Sequence, residues 1–164
     1  MLPSKDLAHV ILIGVGATAV MDLWLLLLLC LKTQTPSFAL IGRWVGNLPR
    51  GKFAHASISK APPVAGELGL GWLTHYAVGI AYAFCLVAVQ GTEWSQQPSL
   101  LPALAFGVGT VLVPLFVMQP AMGAGFASSK TPTPLTNCLR SLAHHAVFGT
   151  GLYLAALLIQ WISR

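Results

Sequence analysis

A chain of 164 residues that is 55% hydrophobic, only 8% charged and has a mean hydropathy of +0.74 cannot clothe a water-facing surface of its size. This composition excludes an ordinary soluble domain and predicts an integral membrane protein. The net charge of +5 would suit nucleic acid, but the cations gather in one loop between apolar segments, where membrane topology accounts for them, so no nucleic-acid partner is expected.

The first apolar run, about Leu7 to Leu31, holds a single charge and is long enough to cross a bilayer core of roughly 30 Å. It is too long for a signal-peptide core and no A-x-A-like cleavage site follows, so it reads as a retained helix. Gly14, Thr18 and Asp22 recur at i, i+4, i+8 and predict one small, polar stripe facing other helices, with the leucines from Leu25 onward facing lipid.

Residues 32–63 carry Lys32, Arg43, Arg50, Lys52 and Lys60 and no acid. Within them Thr35 is a candidate N-cap and Pro36 a first helical residue. Phe38, Ile41, Val45 and Leu48 follow at helical spacing, predicting a short amphipathic helix at the membrane surface. A second span runs from about Val64 to Gln90, with Glu67, Gly71, His75, Gly79 and Ala83 on one i, i+4 ladder. After a turn at Glu93 and Trp94, the third span covers about Leu100 to Met122, where Pro114 should free the Thr110 carbonyl. Gln119-Pro120 and a Gly, Ser, Thr and Pro-rich loop close it. The fourth span, about Leu135 to Ile162, carries Arg140, His144 and His145. The expected fold is therefore an all-α integral membrane protein, one four-helix transmembrane bundle over residues 1–164.

Orientation follows from charge. The basic loop, Lys130 and Arg140 lie on one face, while Lys5, Arg164 and the acidic turn at Glu93 lie on the other. The prediction is a multi-pass protein with both termini periplasmic or external and the basic loop cytoplasmic. Cys30, Cys85 and Cys138 are odd in number and widely spaced, reading as small hydrophobes rather than disulfide or CxxC partners.

Leu73-Thr74-His75-Tyr76-Ala77-Val78 recurs as Leu142-Ala143-His144-His145-Ala146-Val147, and Gly14-Val15-Gly16 as Gly107-Val108-Gly109. The chain thus reads as two tandem helix hairpins with His75 and His144 as equivalents. Counted at about 1.5 Å per residue, Asp22, His75 and His144 all fall roughly 12 to 16 Å from the cytoplasmic helix ends. Ionisable residues at that depth are expensive and are functional candidates. Nearer the cytoplasm lie Glu67, Arg140 and Gln119, of which Glu67 and Arg140 are expected to neutralise each other. His9 and His55 read as surface residues.

Three functions from different classes fit. The favoured one is a bundle that binds or conducts a proton, a metal ion or a small solute through Asp22 and the two histidines. The second is a metal-dependent membrane enzyme in which Asp22, His75 and His144 hold the ion and Glu67 acts as base. The third is an assembly partner, a second copy of the chain included, packed through Gly71, Gly79, Gly149 and Gly151. Two histidines alone do not argue for a haem.

Four stretches carry a family resemblance: Gly-Ala-Thr-Ala-Val-Met-Asp-Leu-Trp (16–24), Gly-Arg-Trp-Val-Gly (42–46), Pro-Val-Ala-Gly-Glu-Leu-Gly-Leu-Gly-Trp-Leu-Thr-His-Tyr (63–76) and Met-Gln-Pro-Ala-Met-Gly-Ala-Gly (118–125). With them the chain resembles a family of small bacterial inner-membrane proteins known only as a domain of unknown function. The resemblance implies fold and location and supplies no catalytic residues.

Overall fold

The structure, a computed structural model, describes residues 4–163, and Arg164, used above for orientation, lies outside the described residues. The described residues form helices and connections without strands. Helix α1 covers Ser4–Cys30, α2 Phe38–Asn47, α3 Glu67–Gln90, α4 Thr92–Gln96, α5 Leu100–Gly109, α6 Gln119–Met122 and α7 Pro134–Ile162. Four stretches are long and apolar enough to cross a membrane: Asp6–Cys30, Glu67–Gln90, Leu100–Met122 and Pro134–Ile162.

Two boundaries differ from expectation for local reasons. The second span begins at Glu67 rather than Val64, because Gly66 is left-handed (φ 72°) and halts the helix there. The third span is broken. Pro114 cannot donate to Thr110, and the chain answers with a π-helical turn over Pro114–Met118 in which Gln119 N–H reaches back to the Pro114 carbonyl. Helix α2 starts after Ser37, not Thr35, since the Ser37 carbonyl receives the first helical hydrogen bonds, from Leu40 and Ile41.

The chain divides into two compact units, Met1–Thr35 with Tyr76–Thr110 and His144–Arg164, and Pro36–His75 with Val111–Ala143. In the first, close approach of small residues sets the helix pairing, as expected where lipid competes for every larger apolar side chain. Gly14 packs on the backbone of Ile80, and Gly79 on the Thr18 hydroxyl, joining α1 to α3. Gly16 meets Ala155, and Gly151 meets Ala17 and Val20, joining α1 to α7. Gly107 and Gly149 join α5 to α7. As residue numbers rise on one helix of each pair they fall on its mate, so all three pairs are antiparallel. Ile13, Leu86 and Leu152 are fully buried between them, while Leu26, Leu27 and Leu29 are exposed as predicted. Leu25 is the exception, at 7% exposure. These contacts also correct the assembly reading: Gly79, Gly149 and Gly151 are consumed by the chain's own helices.

In the second unit α2 lies across the start of α3. Gly42 packs on the Glu67 carbonyl and Gly71 on the Phe38 carbonyl, so Gly71 too is spent within the chain. Phe38 stacks on Trp72 and His75 at ring-centroid distances of 4.2 and 4.7 Å. His55 N–H donates to the Ala121 carbonyl at 2.8 Å, and Gly123, at φ 94°, sits against the carbonyls of His55 and Ala56 where no side chain fits. His55, expected at the surface, is half-buried, and both of its ring nitrogens are buried and unpartnered.

Candidate functional site

The polar stripe of α1 explains its own needs. Thr18 is 1% exposed and turns its hydroxyl back to the Gly14 carbonyl at 2.8 Å. One turn on, the side-chain oxygens of Asp22 accept hydrogen bonds from other groups. Tyr76 on α3 supplies one, its hydroxyl donating to Asp22 Oδ2 at 2.7 Å. The two residues are thereby tied across an antiparallel helix pair.

A second tie joins α7 to α5. Thr110 Oγ1 lies 2.6 Å from the Gly107 carbonyl and 2.8 Å from His145 Nδ1. A hydroxyl has one proton, and the carbonyl can only accept. The arrangement in which both contacts are hydrogen bonds has Thr110 donating to Gly107 and His145 donating from Nδ1, which makes Nε2 the acceptor of a neutral ring. Thr110 is the residue whose carbonyl Pro114 leaves without its helical donor, so the break and the imidazole meet at one position. Beside it His144 is 5% exposed, with Nδ1 buried and unpartnered.

The register places these groups at one level of the first unit. From the contacts of Ala17 and Val20 with Gly151, one more turn along α1 and one back along α7 bring Asp22 to within about a turn of His145. Tyr76 and His145 directly follow His75 and His144 in the two similar stretches 73–78 and 142–147. Tyr76 and His145 each make a cross-helix hydrogen bond, to Asp22 and to Thr110. The sequence alone does not mark the side chains of Tyr76, Thr110 and His145 as site candidates; the available signal was the dipeptide His-Tyr aligned with His-His.

The other expected site residues are placed differently. His75 belongs to the second unit, its ring against Phe38 and Trp72. Glu67 pairs with Arg43, not Arg140: Nη2 reaches Oε1 and Nε reaches Oε2, each at 2.8 Å. The reason is capping as well as charge, since Glu67 Oε2 also accepts the Val64 N–H at 3.0 Å at the start of α3. Arg43 Nη1 further donates to the carbonyls of Ile58, Ser59 and Ala61 at 3.4, 3.3 and 3.0 Å. The sequence marks Arg43 for topology and for the family resemblance, not as a partner of Glu67, although it alone of the loop's cations lies inside α2. Gln119 is a loop anchor, its Oε1 accepting from the buried Ser128 at 2.8 Å. Among the described residues no group of three or more His, Cys, Asp or Glu is placed to hold a metal ion, so the metal reading of Asp22, His75 and His144 gains no support.

Neither a curated protein nor a solved structure matches the chain. The sequence profile of the family described as "Protein of unknown function (DUF2938)" matches residues 11–159, and the chain belongs to that family.

Proposed function

We propose that this protein binds and relays a proton within the bilayer, using Asp22 with Tyr76 on one helix pair and His144 with His145 and Thr110 on the other. The observation that carries the reading is the 2.7 Å hydrogen bond from Tyr76 to Asp22. It supports a carboxylate kept inside an apolar span, where an ionisable group is costly and is retained for use. The imidazoles add side chains that can accept or release a proton, and the helix break at Thr110 resembles the discontinuous helices around which membrane transport sites are built. The same reading sets the chain in the bacterial inner membrane, its basic loop cytoplasmic and both ends periplasmic or external. Its support is the row of exposed cations Lys32, Arg50, Lys52 and Lys60 in residues 32–63.

The test uses the full chain in liposomes holding a pH-sensitive dye, with an inside-negative potassium potential imposed through valinomycin. The lumen should acidify faster than in protein-free liposomes, Asp22→Asn should remove the excess, and His144→Gln should reduce it. A wild-type trace equal to the protein-free one, or an Asp22→Asn trace equal to wild type, overturns the proposal.

A further inference from the structure

The charges of the second unit do not balance. Its single acid is Glu67, and Arg43 occupies both oxygens of that carboxylate. Arg50, Lys52, Lys60 and Lys130 are exposed, and the unit has no second carboxylate to meet them. Two large aromatic side chains stand out beside them, Phe53 at 66% and Phe126 at 64% exposure. All six belong to two connections that are stitched together by the hydrogen bond from His55 N–H to the Ala121 carbonyl and by the seating of Gly123 on the Ala56 carbonyl. Neither aromatic is displaced into the open by a bare loop. Trp44 Nε1 holds the Phe53 carbonyl at 2.9 Å, and the turn after Phe126 is fixed by Ser128 on Gln119 and by Lys130 N–H on the Ala124 carbonyl at 2.9 Å. The segments present their cations and rings from anchored backbones.

We propose that this rim is a docking surface for anionic phospholipid headgroups, with Arg50, Lys52, Lys60 and Lys130 meeting phosphate and Phe53 and Phe126 entering the acyl boundary. The occupant is argued from charge complementarity and from composition. A surface of cations interleaved with exposed phenylalanines matches a partner that is anionic at one depth and apolar just below it, which a membrane of acidic lipids is. A soluble acidic protein would offer nothing to the two rings.

The experiment measures the association of spin-labelled phosphatidylglycerol and spin-labelled phosphatidylcholine with the full chain reconstituted in phosphatidylcholine bilayers, from the motionally restricted part of each spectrum. Phosphatidylglycerol should be preferred, and the preference should fall as potassium chloride is raised. Replacing Arg50, Lys52, Lys60 and Lys130 by Gln should abolish it, each charge accounting for up to about fivefold in association. Phe53→Ala with Phe126→Ala should weaken association of both lipids and keep the salt dependence. Equal association of the two lipids with wild type, or a preference indifferent to salt, overturns the proposal without any variant. A preference surviving the four substitutions in protein of unchanged helicity assigns lipid selection elsewhere on the chain and overturns it as well.

Discussion

Tyr76 donates to Asp22 across α1 and α3 at 2.7 Å, and the bond joins the two residues that end the run of close contacts begun by Gly14 on Ile80 and Gly79 on Thr18. A side-chain hydrogen bond between membrane helices contributes about 0.5–2 kcal/mol. Tyr76→Phe should therefore destabilise by about that much, and should cost clearly less in an Asp22→Ala background. Unfolding in mixed detergent and dodecyl sulfate, followed by helicity, gives all four corners of the cycle. Equal losses in the two backgrounds would mean that the bond contributes nothing to stability.

Two neighbouring glycines of α3 should respond oppositely to the same methyl group. A Cβ on Gly71 would run into the Phe38 carbonyl, and α2 would have to lift away; a Cβ on Gly69 meets nothing within 4 Å. Gly71→Ala should cost about 1–3 kcal/mol by overpacking, whereas Gly69→Ala should be neutral or stabilise by up to about 1 kcal/mol, as alanine suits a helix interior better. The same unfolding assay decides. A harmless Gly71→Ala would contradict the seating of α2 on α3.

What the sequence made legible was periodicity. Four spans follow from hydropathy, and the Gly14, Thr18, Asp22 stripe follows from spacing, because each depends on a pattern that one helix displays alone. Partners were harder. Two helix starts on one face point Glu67 to Arg140, but the carboxylate also has to cap Val64 N–H, which holds it where α2 presents Arg43. Gly149 and Gly151 pack on α5 and α1 and not on another subunit; composition cannot say whether a small-residue contact is with another helix of the chain or with another molecule. The hydrogen bonds of Tyr76 and His145 were not legible, because a pitch of about 100° per residue decides which side chain faces the neighbouring helix.

Topology admits a direct check. With Cys30, Cys85 and Cys138 replaced, a single cysteine at Ser59 should react with a membrane-impermeant maleimide only after the cells are opened, and one at Gln97 should react in intact cells. Both positions are exposed, so failure to label at either would reflect the side of the membrane and not burial. The reverse pattern would invert the chain and, with it, the cytoplasmic assignment of the basic loop.

Arg43 offers the sharpest test of the second unit, since one guanidinium closes two parallel bonds to Glu67 and also serves the carbonyls of Ile58, Ser59 and Ala61. A fork that spans a carboxylate and still reaches backbone oxygens on its other side has no equivalent in an ammonium, which carries three donors on one point. Arg43→Lys should therefore destabilise nearly as much as Arg43→Gln, although it keeps the charge. Glu67→Gln should also lower stability, and combining it with Arg43→Gln should cost less than the two single losses added together, because each single change already breaks the shared bonds. Glu67→Gln and Arg140→Gln should instead add. Thermal unfolding of the purified chain in detergent, read by helicity, supplies every corner. Coupling between Glu67 and Arg140 with additivity between Glu67 and Arg43 would return the carboxylate to the partner first expected from the sequence and would leave the connection from Ile58 to Ala61 without the donor that organises it.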